Sequence, residues 1–357
     1  MILNSISLRN YRNHKSVDLF FEKGLNFIVG DNAQGKTNIV EAIHFLSLGR
    51  SFRTNEDFNL INDQSDTAYV IANITFGDLK KKISVSLSPS GKKVLYNNKV
   101  VKKLSELNDI INVIIFEPPT TMLFKTSPKT RRDFLDINLS KIDENYLKSL
   151  FSYEKILKER NNLLKNEDVN LDQLEIITDM LINAAEKIVV SRTNYIYEIN
   201  KVFPKVVSTI NKTKENVSIN YFPFVKADED YKINAKTAFS KALESDLKKK
   251  VTSIGPHRED FKISLNNKDV AKYGSQGENR LLALSLTLCP YFLIKEKDKK
   301  PIIVLDDVMS ELDDENKERL LSFLTNFEQV FITSTSLQSK GVNTYEIKNN
   351  KILRRIS

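Results

Sequence analysis

The sequence predicts an α/β protein with a mixed sheet and an inserted, mainly α-helical domain. Short apolar strands alternate with amphipathic helices at both ends of the chain. Between residues 131 and 207 the pattern is helical and contains no glycine. The 357 residues also exceed the ~150 of an average domain. We therefore expect one composite α/β domain formed by residues 1–125 and 250–357, with a helical domain at 126–249.

The N-terminal third reads as strands around one helix. Ile6 and Leu8 alternate with polar residues, which is typical of a strand. An apolar strand between Gly24 and Gly30 is followed by a helical pattern over residues 38–48. Further strands are predicted at residues 17–21, 68–76, 82–87 and 113–116.

The middle of the chain predicts two helices that form an antiparallel hairpin. Two apolar stripes flank the polar segment 165–170, and each arm would have ~30 residues and a length of ~45 Å. Arg160 occupies one position of the first stripe. An ordinary pair of core helices explains the pattern equally well. C-terminal to this region, strands at 261–265, 301–305 and 329–333 alternate with helices after Gly277 and at 312–323, which indicates parallel βαβ packing.

Composition excludes several classes of protein. The single Cys289 rules out a disulfide framework and a thiolate zinc site, and the three histidines lie far apart in the sequence. The longest nearly apolar stretch, residues 281–294, is too short to span a bilayer. The N-terminus lacks the pattern of a signal peptide. We expect a cytoplasmic protein, and its net charge of +8 favours either an acidic partner such as nucleic acid or a merely solvated lysine-rich surface.

A phosphate-binding loop is the strongest motif in the sequence. The pattern G-x-x-x-x-G-K-[ST] is matched by Gly30, Asp31, Asn32, Ala33, Gln34, Gly35, Lys36 and Thr37. Its backbone N–H groups and the following helix N-terminus would bind an anion. Lys36 would reach the β- and γ-phosphates of a nucleotide, and the Thr37 hydroxyl would ligate Mg²⁺. The alternative is a glycine turn that only begins a helix.

An acidic pair follows the apolar run at residues 301–305. Ligands of parallel sheets bind at the carboxyl ends of the strands. Asp306 is therefore the candidate partner of Mg²⁺, and Asp307 is the candidate that orients or deprotonates the attacking water. Without the loop around Lys36, the two carboxylates would predict only a polar turn.

A second candidate anion site lies at the start of the helix near residue 277. Ser275 and Gly277 form S-x-G at this helix N-terminus, flanked by Gln276 and Glu278. Ser310 and Asp313 then follow the acidic strand, in a spacing that also predicts a helix cap.

In this order the motifs resemble the ABC-type ATPase heads of the SMC-like group, and more specifically the RecF family of bacterial recombination mediators. The resemblance extends nearly from end to end. The segments that carry the resemblance are residues 8–13, Gly30–Asn38, residues 49–54, Ser127-Pro128, residues 131–136, residues 153–165, residues 255–258, residues 274–277, Leu305–Val308 and residues 310–313.

The resemblance implies an ABC-type P-loop ATPase head that binds ATP and Mg²⁺ and forms an ATP-dependent homodimer on DNA. Ser275, Gln276, Gly277 and Glu278 of one copy would contact the γ-phosphate held by the other. Slow hydrolysis, assisted by Lys36 and Asp307, would release the dimer, so the protein would be a weak ATPase used as a switch. Ser310 and Asp313 would form the D-loop, and Arg9 and Asn13 would lie near the nucleotide. RecR and RecO are the implied protein partners in loading recombinase on gapped DNA.

Some positions depart from the family pattern. Pro118-Pro119-Thr120-Thr121 replaces a common Pro-Glu-Asp-Leu, Phe52 replaces a frequent histidine, and Glu259 stands where aspartate is usual. Candidate DNA contacts are two basic clusters, each equally explained as a solvated surface. They comprise Lys125, Lys129, Arg131 and Arg132, and the run Lys248 to Lys250.

Two alternative functions remain at this point. An ABC transporter subunit would normally have a histidine after the last predicted strand, where this chain has Thr333-Ser334-Thr335. A P-loop kinase for small molecules would have no use for Ser275 and Gly277 in a second copy.

Overall fold

The computed structural model describes residues 1–211, 216–336, 342–348 and 351–356. The chain divides into two compact units. The first contains Met1–Thr121, Thr209–Lys212 and Leu284–Ser357, and the second contains Met122–Ser208 and Thr213–Ala283. Residues 250–283 thus fall in the second unit, whereas the sequence analysis assigned them to the head. The predicted boundaries of a composite head stay a prediction.

The N-terminal part of the first unit alternates strands with two helices. Its elements are β1 (Ile2–Tyr11), β2 (His14–Phe20), β3 (Gly24–Val29), α1 (Lys36–Leu48), β4 (Ala68–Phe76), β5 (Leu79–Ser88), β6 (Gly91–Tyr96), β7 (Lys99–Val100), α2 (Leu107–Ile110) and β8 (Val113–Phe116). The strands predicted here are all present, and β6 and β7 form the hairpin around Asn97 and Asn98, whose positive φ angles suit the turn.

The second unit is mainly helical but also contains a small sheet. Its elements are α3 (Pro128–Ser140), α4 (Glu144–Leu163), α5 (Leu171–Asn211), β9 (Val217–Phe222), α6 (Tyr231–Lys249), β10 (Asp260–Leu265), β11 (Lys268–Asp269), α7 (Val270–Tyr273) and the start of α8 (Gln276–Leu288). The chain then continues through α9 (Pro290–Leu293), β12 (Ile302–Leu305), α10 (Asp314–Leu324), β13 (Gln329–Ser334), β14 (Asn343–Lys348) and β15 (Lys351–Ile356).

The first unit contains two six-stranded sheets that share one hydrophobic core with α1. One sheet is mixed, in the order β15-β14-β3-β13-β12-β8, and only its edge pair β14–β15 is antiparallel. The other is antiparallel, in the order β2-β1-β4-β5-β6-β7. All four residues of β12 are buried, as expected for a strand covered on both faces. The mixed sheet therefore brings the carboxyl ends of β3, β13, β12 and β8 to one edge.

The first arm of the predicted helical hairpin is not continuous. Lys141–Asp143 interrupts it, because Asp143 accepts a hydrogen bond from the Asn145 backbone N–H and begins α4. The second arm is longer than expected, since α5 has 41 residues and continues past Pro204. The sequence analysis did not predict β9, α6, β14 or β15.

Buried arginines organise the second unit. Arg192 of α5 bonds both carboxylates of the pair Asp136 and Glu259 at 2.8 and 2.9 Å. Arg160 bonds Asp246 at 2.8 Å and also the hydroxyl of Thr252. The arginine that interrupts the predicted apolar stripe is therefore a core residue with internal partners.

None of the helices in the described ranges combines the length and the apolar composition needed to cross a bilayer.

Candidate functional site

The loop between β3 and α1 forms a glycine-dependent anion nest. A Cβ atom on Gly30 would lie 2.7 Å from the Ile347 carbonyl oxygen, so only glycine fits the close approach to β14. Ala33 and Gly35 have positive φ angles of 67° and 93°, which turn the backbone into the helix. No side chain caps α1 and its first turn holds no acid, so its N-terminus is available to an anion.

The exposed part of this loop comprises Asp31, Asn32 and Ala33, with Gln34 half-buried. Asn38, in the first turn of α1, donates to the Asn13 side chain at 2.7 Å. Asn13 therefore does lie beside the loop. Arg9, which the resemblance also placed near the nucleotide, forms a bidentate ion pair with Asp18 on the exposed face of β1 and β2, and its position near the nucleotide stays a prediction.

Lys36 folds back over the loop. Its Nζ donates to the carbonyl oxygens of Gly30 at 2.6 Å and Asp31 at 2.9 Å. Burial lowers the pKa of Lys36, and the carboxylates of Asp307 and Asp306 oppose that shift. Among the residues that the structure describes, the ammonium group therefore bonds only backbone carbonyls, which phosphate oxygens could replace.

Thr37 and Asp306 meet as the sequence predicts. The Thr37 hydroxyl lies 3.2 Å from Asp306 Oδ1, which also accepts from the Thr333 hydroxyl at 2.7 Å. Asp306 is buried and has no cationic partner in hydrogen-bond contact among the described residues. Burial raises its pKa, and the two hydroxyls partly offset this. A hydroxyl and a carboxylate oxygen at this edge suit one face of a Mg²⁺ ion, whose other ligands are usually water and phosphate.

A metal held by protein side chains alone is not indicated. Within the described ranges, no group of three His, Cys, Asp or Glu side chains could hold a metal ion. Mg²⁺ at Thr37 and Asp306 would therefore depend on the nucleotide for most of its ligands.

Asp307 points away from the core. It has a φ of 51°, its backbone N–H donates to the Thr333 hydroxyl at 2.8 Å, and its side chain is exposed. The Ser310 hydroxyl donates to the Asp307 carbonyl oxygen. Asp313 is the N-cap of α10, and its side chain accepts a hydrogen bond from the Asn316 N–H. The residue that caps this helix is therefore Asp313 and not Ser310.

The sequence analysis missed Glu117. This residue directly follows β8, and Phe116 is paired with Leu305, so Glu117 lies at the same sheet edge as Asp306. Burial, with the nearby charge of Asp306, raises the pKa of Glu117 to about 7. The signal that identified Asp306 is an acid immediately after an apolar strand. Glu117 follows the apolar strand β8 in the same way.

A second cation also faces this edge. Arg53 donates to the Asn38 side chain at 2.8 Å and lies 3.5 Å from Glu41 of α1. The pKa values of Glu117 and Asp306 are both raised by burial, and the charge of Arg53 partly opposes that rise. Glu41 is fully buried and is held by Arg12 and Ser51.

The second predicted anion site lies in the second unit. The Ser275 hydroxyl accepts from the Glu278 N–H, while Glu278 accepts from the Ser275 N–H at 2.6 Å, which forms a capping box. Ser275, Gln276 and Gly277 are exposed, and a Cβ on Gly277 would meet nothing within 4 Å. The turn is therefore a surface feature that is free to approach another molecule.

The first group of candidate DNA contacts separates into two kinds of residue. Arg131 forms a bidentate ion pair with Asp260 at 2.7 Å and donates to the Thr126 carbonyl, so its guanidinium has internal partners. Arg132 donates to the Glu259 carbonyl. Lys125 and Lys129 remain exposed.

The fold and this edge define the class of protein. A head domain of Smc from Pyrococcus furiosus, solved with an extended coiled coil and the C-terminal domain of ScpA, superposes with a TM-score of 0.60. It is 16% identical and covers 99% of this chain and 96% of its own, which shows a common fold. The chain therefore has the fold of an SMC head domain.

Comparison at higher identity gives the family. Residues 2–349 match the family described as the RecF/RecN/SMC N terminal domain. The DNA replication and repair protein RecF of Clostridium acetobutylicum is 36% identical, over 99% of both chains. A solved structure of the recombination mediator protein RecF with ATP, from the RecFOR pathway, superposes with a TM-score of 0.90 at 36% identity and covers 99% of this chain and 97% of its own. The chain belongs to the RecF family of DNA replication and repair proteins.

Proposed function

We propose that the protein is an ATP-dependent DNA-binding switch of recombinational repair and replication-gap processing. ATP would join two copies on DNA, and slow hydrolysis would release them. The observation that carries the proposal is the convergence of Lys36, Thr37, Asp306 and Asp307 at one sheet edge, beside an uncapped helix N-terminus. The RecF relative that was solved with ATP supports the choice of nucleotide.

The loop from Gly30 to Asn38 would hold the triphosphate through backbone N–H groups, and Lys36 would exchange its two carbonyl partners for phosphate oxygens. Thr37 and Asp306 would hold Mg²⁺, which neutralises phosphate charge when it is bound. The charge of Asp306 would then gain the cationic partner that its burial demands.

Asp307 is the residue that we assign to the attacking water. Its exposed carboxylate would accept a proton from the water as the oxygen bonds to the γ-phosphorus and the bond to the β-phosphate oxygen breaks. The Thr333 hydroxyl fixes the backbone of Asp307 and also bonds Asp306, so one residue positions both acids.

The exposed turn Ser275–Glu278 would complete the site on a second copy. Its exposed Ser275 and Gly277 would contact the γ-phosphate bound by the first copy, a contact that ADP cannot make. ATP would therefore favour the dimer by the free energy of that contact, and hydrolysis would remove it. DNA is the proposed partner of the dimer. RecR and RecO are the proposed protein partners, which the RecFOR pathway of the solved relative supports.

Replacement of Lys36 tests the proposal. Lys36→Ala should weaken ATP binding by roughly 100-fold, because the phosphate loses its charge-assisted partner. The parent should self-associate in light scattering with ATP but not with ADP, and the variant should do so with neither. Lys23→Ala, an exposed lysine at the opposite end of β3, is the matched control and should behave as the parent. Unchanged ATP affinity in Lys36→Ala would refute the phosphate assignment.

A further inference from the structure

The positive charge of the chain is concentrated in one segment of the antiparallel sheet. Residues 79–103, which span β5 to β7, contain eight lysines and no Asp, Glu or Arg. The remaining 46 basic residues of the chain are matched by 46 acidic residues. The net charge of +8 is therefore the charge of this segment, whereas neither group of DNA candidates chosen from the sequence has a comparable excess.

Two of the eight lysines have internal partners. Lys92 forms an ion pair with Asp57 at 2.8 Å and also donates to the Gly49 carbonyl. Lys81 lies over the Phe76 ring, 4.0 Å from its centroid. These two face the core side of the sheet and stabilise its packing.

The other six lysines are exposed, and among the residues that the structure describes none of them has a carboxylate within ion-pair distance. We call them the lysine surface; its members are Lys80, Lys82, Lys93, Lys99, Lys102 and Lys103. Some exposed lysines elsewhere in the chain have a neighbouring acid, as Lys201 has Glu198 and Lys236 has Asp179. The lysine surface lacks such neutralisation.

The register places part of this surface on a single face. Lys80 and Lys82 alternate along β5 with the buried Ile83 and Val85, so they project from the opposite face, about 7 Å apart along the strand. Lys93 is paired with Ser86 of β5 and lies on that same outer face.

The same face also carries neutral hydrogen-bonding groups between the lysines. Ser84 and Ser86 continue the outer row of β5. On the neighbouring strand β4, Asn73 is paired with Lys82 and Tyr69 is paired with Ser86. Lysine, serine, asparagine and tyrosine side chains are those that contact phosphates and sugars of nucleic acids. Lysine is depleted from the apolar centres of protein interfaces, so a protein partner is the less suitable occupant.

We propose that the lysine surface of β5 to β7 binds the sugar-phosphate backbone of duplex DNA. The inference rests on the proposed function and assigns the DNA contact to the antiparallel sheet, rather than to the clusters near residues 125–132 and 248–250. A uniformly negative duplex complements lysines that have no carboxylate within ion-pair distance among the described residues, and the contact is independent of sequence.

Salt-dependent binding of the full-length protein tests the surface. The probe is a fluorescent 30-base-pair duplex, titrated with protein and ATP at several KCl concentrations. The test variant is Lys80→Ala/Lys82→Ala/Lys93→Ala. The matched control removes the same charge from exposed positions of α6, as Lys241→Ala/Lys248→Ala/Lys249→Ala. All six positions are exposed, so both variants should fold.

The test variant should bind the duplex at least about tenfold more weakly, and the slope of log K against log salt should fall by about 2.7 for three lost contacts. The control should differ from the parent by less than twofold, and ATP-induced self-association should be unchanged in both. Parent-like affinity and slope in the test variant would overturn the surface while leaving the proposed function intact.

Two further outcomes would also overturn the inference. Absence of duplex binding by the parent, with ATP and at low salt, would overturn the proposed function and this surface with it. If poly-glutamate bound the parent as tightly as the duplex and the test variant lost both equally, the surface would be a site for an acidic protein and not for DNA.

Discussion

Lys36 and Arg192 are both cations at the centre of a polar cluster, but their surroundings differ. Arg192 is almost completely buried, and each of its donors meets a group from its own unit, including Asp136 and Glu259. Lys36 is the half-buried first residue of α1, and among the described residues its hydrogen-bond partners are backbone carbonyls alone. A cation with complete internal partners maintains the fold, whereas one with replaceable partners at a sheet edge can bind a ligand.

The acids differ in the same way. Glu259 receives hydrogen bonds from Arg192, from Tyr221 and from the Phe224 backbone, so its charge is compensated within the protein. Glu117 and Asp306 lie at the edge of the mixed sheet, where burial raises the pKa of both acids and the charge of Asp306 raises that of Glu117 further. At the edge where we propose that Mg²⁺ binds, these two acids thus have no cation in hydrogen-bond contact among the described residues.

The largest expected effect comes from breaking the compensated cluster. Arg192→Leu should lower the free energy of unfolding by about 3–5 kcal/mol, because it leaves Asp136 and Glu259 without their cation in a buried site. Urea unfolding followed by circular dichroism measures the loss. Lys201→Leu, at an exposed position of the same helix, should leave the urea midpoint of unfolding unchanged. A loss below 1 kcal/mol for Arg192→Leu would contradict the comparison.

A smaller effect of opposite sign is expected at the uncompensated edge. The pKa of Glu117 is about 7 in the folded protein, above the ~4.3 of an unfolded chain, so the folded state binds more protons between these values and stability falls as pH rises through them. Glu117→Gln removes this loss. At pH 8, without nucleotide or Mg²⁺, the variant should be more stable than the parent by roughly 1–2 kcal/mol.

The advantage should be absent near pH 4.5, where the parent carries a protonated Glu117. Urea unfolding at both pH values provides the comparison, and Glu318→Gln on the exposed face of α10 is the control that should show no such dependence. Equal stability of the parent and Glu117→Gln at pH 8 would contradict the raised pKa, because it would indicate that the Glu117 carboxylate is solvated in the folded protein.

Much of the first unit could be predicted because its signals are local. The pattern around Gly30 and Lys36 gave a strand, a turn and a helix in one segment, and the run before Asp306 indicated a buried strand with an acid at its end. Parallel packing then placed both at one edge. Glu117 was not predicted because Pro118 and Pro119, directly after it, indicate only the end of the strand.

The second unit was harder to predict because its order depends on contacts distant in sequence. The sequence predicts a free basic side chain at Arg131. In the structure Arg131 forms an ion pair with Asp260, which lies 129 positions away in the sequence. Arg160 interrupts an apolar stripe of the sequence. In the structure its guanidinium donates hydrogen bonds to Asp246 and Thr252, which allow it to be buried. The interruption at Asp143 has a local signal, since an aspartate at a helix N-cap ends the preceding helical segment.

The central claim is that the γ-phosphate is bound by Lys36 of one copy and by the Ser275 turn of the other. Ser275→Arg should retain ATP binding but fail to self-associate or hydrolyse ATP, because the new side chain occupies the space of the partner's phosphate. Lys36→Ala should fail as well. Neither homodimer would then contain a complete site.

The direct measurement is ATP hydrolysis by an equal mixture of Lys36→Ala and Ser275→Arg. A mixed dimer pairs the intact Lys36 of one variant with the intact Ser275 of the other. The mixture should therefore regain activity, up to about one quarter of the parent's, because half of the dimers are mixed and each has one complete site. A mixture as inactive as its two components, or full activity of Ser275→Arg alone, would contradict the claim.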